Sequence, residues 1–521
     1  MSKSDDATGT HQDHVPAMRK RGVTRPMEMA ELRHHASQHS GSGEGGESGH
    51  AHAGHDPEAG HQMLAMHHKQ TSWVYWFLIM LGFWLLVNPH TFSYATGTVD
   101  PSGGRSVWLT LSQRATAMAW SDIVSGLLLI VFGWRALRPN RPISLWICCF
   151  VGIWLTLAPV VFWSPTAAGF LNGSLVGMLV IALSILIPGM PNMILFMSHG
   201  TTVPKGWSYN PSSWPQRWIM IVAGLLGYFV SRYLAAFQLG YIEFAWDPFF
   251  GESTPLVLNS EMSHAMPFSD AALGSAAYTL EFLMGFMGGP QRWRTMPWMV
   301  TVFGILVIPL GLVHIFLVIS QPVLVGHWCF FCIVAAAIML PMIPLEADEV
   351  IAMGQFMVQA KRKRLNLWKA FWLGGDVEGE GEDRRTPDLF TLPEQPKEVF
   401  LASIWGMSFP WTLVLALFAG VAIVFTPALF EIVGTVANVS HIAGALIVTM
   451  SALAMGEILR PVRFLNVLLG LAVAAAPWLF AGGETLNGAI ASTLLGIAAV
   501  ALSLPRGEIH ERYGLWQRFV R

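Results

Sequence analysis

The sequence predicts an all-α fold, a polytopic helical membrane protein with about twelve transmembrane helices. Three observations lead there. Of 521 residues, 53% are hydrophobic and 12% charged, and the mean hydropathy is +0.48, which leaves too little polar surface to wrap a soluble core. The apolar residues come in continuous runs of roughly twenty, long enough to cross hydrocarbon as helices and without the alternation of barrel strands. The basic residues, finally, sort by loop. A net charge of −2 without a basic face interleaved with aromatics gives no sign of a nucleic-acid partner.

Residues 1–71 are rich in His, Gly, Ser and charge, lack the apolar run and cleavage site of a secretory signal, and read as a disordered cytoplasmic tail. Eleven of the eighteen histidines fall there: His11, His14, His34, His35, His39, His50, His52, His55, His61, His67 and His68. Such tracts bind divalent metals weakly, but without fixed ligand spacing low-complexity disorder is the simpler expectation, and no metal site is assigned.

Apolar length places spans at 72–89, 117–137, 143–163, 168–188, 217–240, 271–289, 296–320, 323–345, 401–425, 437–457, 461–481 and 486–504. Loops after even-numbered spans hold Arg135, Arg138 and Arg141, then Lys205, then Arg292 and Arg294, then Lys361 to Arg364, then Arg460 and Arg463. Loops after odd-numbered spans are uncharged or acidic, with Glu243, Asp247, Glu252, Glu261 and Asp270. The positive-inside rule then puts both termini in the cytoplasm.

Four spans share a pattern. Trp76, Gly82, Trp84, Leu85 and Pro89 recur at the same offsets as Trp146, Gly152, Trp154, Leu155 and Pro159, and the Gly-to-Pro interval returns as Gly420 with Pro427 and Gly470 with Pro477. Each is followed by another span, which makes two helical hairpins over 72–190 and two more over 400–505, before a cytoplasmic C-terminal tail at 506–521. The first two copies, with Phe162-Trp163-Ser164-Pro165 closing the second, resemble the SPW-repeat family of bacterial membrane proteins. That resemblance speaks to architecture alone.

The segment 346–399 is too polar to cross. Its first part sets Val350, Ile351, Phe356, Met357, Trp368, Phe371 and Trp372 around the basic run Lys361 to Arg364, which predicts an amphipathic helix on the cytoplasmic leaflet or a solvated linker helix. The acidic, Gly-rich stretch from Asp376 to Arg385 reads as flexible linker.

Four cysteines are too few for a disulfide scaffold. Cys148 and Cys149 are adjacent, diverge by about 100° on a helix, and are expected to pack. Cys329 and Cys332 differ: i,i+3 spacing puts both sulfurs on one helix face within disulfide reach, roughly 10–15 Å below the outer surface. At that depth they would meet the head group of a membrane quinone. C-x-x-C pairs lower one thiol's pKa and suit disulfide exchange.

With Trp328-Cys329-x-x-Cys332 at the outer end of a fourth helix, Val257-Leu258-Asn259-Ser260 in the outer loop, and Gly274-x-x-x-Tyr278 opening the second helix, residues 215–345 resemble the vitamin K epoxide reductases. Bacterial members of that family pass electrons from periplasmic thiols to quinone. The resemblance implies a central four-helix reductase-like bundle in a bacterial inner membrane, with Cys329 and Cys332 catalytic, Leu258, Ser260, Asp270 and Tyr278 binding quinone (ubiquinone or menaquinone), and no tightly bound cofactor. It further implies Cys332 as the quinone-side cysteine and Cys329, nearer the surface, as the exchange cysteine. Family members that shuttle electrons carry a second cysteine pair in the first outer loop; here Thr254 stands at that place, and no cysteine occurs between 150 and 328. A separate periplasmic thioredoxin-like protein would then have to exchange with the pair directly. Asp270 replaces a family Asn that helps hold the quinone oxygen, and Ala336 a Tyr found in animal members.

Two intramembrane charges, Arg232 and Glu281, each lie roughly 13–17 Å from the outer face, and the alternatives are a structural ion pair or a snorkelling Arg beside a protonated Glu. His327 would favour a thiolate at Cys329 or sit idle at the interface. Besides the quinone-linked oxidoreductase, two other classes stand: a non-catalytic membrane scaffold that keeps the fold, and a His-tail metal-handling protein, which would need a polar transmembrane path.

Overall fold

The computed structural model describes residues 65–186, 202–375, 383, 385–387, 395–480 and 485–520. The acidic linker, apart from Asp383 and Arg385, and all of the tail histidines except His67 and His68 lie outside the described residues. Among the described residues twelve principal helices follow one another: α1 Ser72–Thr91, α2 Leu111–Ala136, α3 Pro142–Val161, α4 Ala167–Ile181, α5 Trp214–Gln238, α6 Asp270–Phe286, α7 Pro297–Leu324, α8 Phe330–Arg362, α9 Trp411–Phe430, α10 Gly434–Met455, α11 Leu465–Leu479 and α12 Leu486–Ser503. Eleven are long and apolar enough to span a membrane, α4 because its helix runs on to Leu186 and α11 because its helix already begins at Glu457. The exception is α6, whose 17 residues rise only about 25 Å. Among the described residues there is no strand, as the sequence predicts.

Each repeat glycine finds its purpose at a helix crossing. A Cβ on Gly82 would stand 2.7 Å from the Gly126 carbonyl oxygen, and the pairs Gly152 with Gly177, Gly420 with Gly444 and Gly470 with Gly496 are equally close, at 2.9, 2.8 and 2.7 Å. Each hairpin therefore closes Gly on Gly, backbone against backbone, the contact that drives helix association where lipid removes the hydrophobic incentive. Large apolar side chains such as Trp76, Phe83, Phe150, Phe418 and Leu468 point outward, as a lipid-facing surface requires.

The stretch from α7 to α9 departs from expectation in three places. First, α7 ends at Leu324 and Gly326 turns the chain at φ +76°, so α8 begins at Phe330, seven residues later than the eighth predicted span. Second, α8 does not stop at the predicted position 345. It continues to Arg362 as 33 residues, about 50 Å, against the ~30 Å of a hydrocarbon core. The stretch from Val350, expected as a separate interfacial or linker helix, is its continuation, with Ala352, Phe356 and Ala360 packed inside the protein. Third, the ninth predicted span begins ten residues early, because Gly406, at φ +81°, and Pro410 interrupt the helix Pro396–Ser403 before α9.

Glu346, Asp348 and Glu349 are buried, which explains how α8 carries on through acidic residues. Arg292 grips both Glu349 oxygens at 2.6 and 2.5 Å, Tyr209 donates to Asp348 at 2.6 Å, and Tyr513 donates to Glu457 at 2.9 Å. Segments distant in sequence thus form one buried polar layer at the end of the bundle opposite the cysteines.

Candidate functional site

Cys329 and Cys332 are joined in a disulfide, with Cα atoms 5.3 Å apart. Cys329 is the N-cap of α8: its Sγ accepts from the Cys332 N–H at 3.2 Å, and its own N–H donates to Gln321 Oε1 at 3.1 Å. The pair sits at a helix N-terminus, where unsatisfied N–H groups and the helix dipole favour a thiolate.

The surroundings reverse the expected exposure. Cys329, which sequence position alone puts nearer the surface, is 0% exposed, whereas Cys332 is part-buried. A short helix, Ser253–Leu258, lies over Cys329 and packs Val257 and Leu258 with Leu234, Phe237 and Ala245 around the sulfur. Asp247 fastens this cap. Its carboxylate accepts from Thr254 Oγ1 at 2.6 Å, from the N–H groups of Phe250 and Phe249 at 2.7 and 3.0 Å, and from the Phe330 N–H at 3.4 Å. Partial burial pushes the Asp247 carboxyl up, but the Thr254 hydroxyl and these three N–H groups together hold it below the usual carboxylate range. Thr254 is fully buried. His327, at the edge of the cap, is 3.4 Å from Ser253 Oγ through Nδ1.

On the other side, Cys332 lines a cavity of about 90 Å³ with Ser231, Leu258, Asp270, His314 and Gln321. Of the four residues expected to bind quinone, Leu258 and Asp270 are on its wall. Ser260 is not; its hydroxyl donates to the Val257 carbonyl at 2.7 Å and shapes the loop. Tyr278 stands one residue behind the wall, donating to the carbonyl of the lining residue Ala335 at 3.2 Å. Asp270 Oδ1 accepts from Gln238 at 2.6 Å, Ser263 at 3.1 Å and the Ala271 N–H at 2.9 Å.

The expected Arg232–Glu281 ion pair is corrected. Arg232 lies 4.2 Å over the Phe170 ring, and Arg232 Nη1 and Glu281 Oε2 are both buried without a partner. The cause is helix register. The antiparallel contact of α5 and α6 sets Gly227 against Tyr278 and Gly224 against Phe282, so Glu281 is level with the region of Gly224, about 11 Å along the axis from Arg232. Counting depth from the outer face missed this offset. Cys148 and Cys149 are buried and free, in keeping with packing.

The sequence also gave no sign of a clamp on the outer loop. Arg105, between α1 and α2, donates to the carbonyls of Ser263, Met266 and Phe268, and Ser102 donates to Asn259 Oδ1 at 2.8 Å. Trp163 adds a bond to the Pro267 carbonyl at 3.2 Å. The first two hairpins thereby hold the loop beside the cavity. Arg105→Ala is expected to raise amide hydrogen exchange over residues 259–269 by about tenfold, the loss of one multiply bonded cation being worth about 1.5 kcal/mol. Unchanged exchange in that loop would remove the clamp.

Residues 218–347 match the family model described as Vitamin K epoxide reductase family. The match falls on α5 to α8 and on the segment whose resemblance the sequence motifs carry. No curated protein and no solved structure matches the chain.

Proposed function

We propose that the protein is a membrane thiol–disulfide oxidoreductase in which Cys329 and Cys332 exchange electrons with a membrane quinone. One observation carries the reading: within the family-matched segment, Cys332 of a disulfide at a helix N-terminus forms part of the wall of a cavity between α5, α6, α7 and α8. In the reaction the two thiols give up two electrons and two protons and form the S–S bond, and the quinone takes up both pairs and becomes hydroquinone. Cys332 faces the cavity and is the quinone-side sulfur. Cys329 lies beneath the cap, so a thioredoxin-like partner at the outer face reaches it only when the Ser253–Leu258 helix lifts.

The cavity of about 90 Å³ is below the ~300 Å³ where ligand pockets usually begin. A quinone ring therefore enters by displacing wall side chains, and Met262, unbranched and on the wall, is the most adaptable of them. The test is the redox state of the pair in the purified full chain. After reduction by dithiothreitol and its removal, excess short-chain ubiquinone or menaquinone should restore the disulfide, read by alkylation and mass shift. Thiols that stay reduced under both quinones would leave the non-catalytic scaffold as the better account.

A further inference from the structure

The groups expected to meet the quinone oxygen are occupied or of the wrong kind. Tyr278 and Ser260 spend their hydroxyl protons on backbone carbonyls, and Asp270 Oδ1 is already taken by Gln238, Ser263 and the Ala271 N–H. Proton transfer at the cavity needs a different residue.

His314 on α7 is placed for it. Its side chain lines the same cavity as Cys332, and its Nε2 is buried without any hydrogen-bond partner. The Cys332 backbone lies beside the imidazole. The Cys332 N–H is already taken by Cys329 Sγ, so the group it leaves for the ring is its carbonyl, which can only accept. The tautomer that puts the proton on Nδ1 leaves the unpartnered Nε2 as the free base. Ser231 and Gln321 share the wall, but neither can take up a proton and release it near neutral pH.

Resting on the quinone-linked reading above, we propose that His314 is the proton carrier of the redox step. Nε2 takes the proton from the Cys332 thiol, leaving the thiolate. It then delivers that proton to one quinone oxygen as the two sulfurs lose two electrons and bond to each other. The Cys329 thiol proton goes to the other oxygen, which completes the hydroquinone.

The experiment measures dithiothreitol-driven reduction of short-chain ubiquinone and menaquinone by the purified full chain and by His314→Ala and His314→Gln. General acid–base catalysis is worth about 10²–10⁴-fold, so both substitutions should lower kcat about a hundredfold while KM for quinone stays within about threefold. Gln keeps the size of the ring and an amide donor toward the Cys332 carbonyl but cannot carry a proton. It also guards against a folding failure of the Ala variant, with formation of the Cys329–Cys332 disulfide as the control. Full activity with Gln would show that His314 only shapes the wall and would overturn the inference, as would an unchanged kcat in both variants. An inactive unsubstituted protein would overturn the proposed function, and this inference with it; an active one with indifferent variants overturns the inference alone.

Discussion

Arg292→Met is expected to destabilise the folded protein by about 3–5 kcal/mol, the cost of leaving one member of a buried ion pair alone. Arg292 and Glu349 have side chains 1% and 2% exposed and meet through two parallel N–H to oxygen bonds at 2.6 and 2.5 Å. Arg292 also donates to the Met284 carbonyl at 3.0 Å, at the last turn of α6, so its loss strands a helix end as well as a carboxylate. After the substitution, the Ser212 hydroxyl is the hydrogen-bond donor left to Glu349. The double change Arg292→Met with Glu349→Met removes both charges and should recover much of the loss. Thermal unfolding in detergent over the four proteins of the cycle measures the coupling. Simple addition of the two single losses would show that the pair does not act as a unit. The effect should reach the site, because Glu349 and the cysteines sit on one continuous helix and Arg292 fixes its far end.

This polar layer also shows where the sequence stops being informative. The twelve apolar runs, the four repeat glycines and the C-x-x-C pair each express a local rule, and each was legible. Gly126, Gly177, Gly444 and Gly496, the partners across each hairpin, were not, because nothing in their neighbourhood marks them until the first helix is laid against the second. Glu346, Asp348 and Glu349 signal an exit from the membrane to any local rule, since unpaired charges belong in water. The partners of Asp348 and Glu349, namely Tyr209, Arg292 and Ser212, lie 57 to 139 residues away, and only tertiary packing brings them together. His314 is hidden for the same reason. A lone histidine in an apolar helix carries no motif, and its meaning comes from the cavity it shares with Cys332. Arg232 and Glu281 show the converse error, in which two charges at similar counted depth were candidates for a pair that helix register separates.

Asp247→Ala is expected to speed alkylation of reduced Cys329 by roughly 10–100-fold, because hydrogen bonds to a charged group contribute about 1.5–3 kcal/mol and each 1.4 kcal/mol is a factor of ten. The carboxylate ties the short helix over Cys329 to the start of α8 through Thr254 and the Phe330 N–H, so its removal frees the cap. Thr254→Val, which loses only the 2.6 Å bond from the hydroxyl, should give up to about tenfold. Measured in a Cys332→Ser background with a membrane-impermeant maleimide, the rate reports on Cys329 alone. The pH dependence follows from the sign of the shift. Asp247 is held below its usual range in the folded protein, so its contribution is complete above the unfolded value near 3.9 and fades only as pH falls through the still lower folded value. Between about pH 5 and 8, then, the alkylation rate corrected for thiolate fraction should be flat, and acid should not open the cap in that range. A partner thiol that needs Cys329 must lift the cap by its own binding energy. Asp247→Ala should accordingly make exchange with small dithiols faster and less dependent on their size. If Cys329 in Asp247→Ala reacts no faster than in the parent, the cap is not held by this carboxylate, and access to the disulfide is controlled elsewhere.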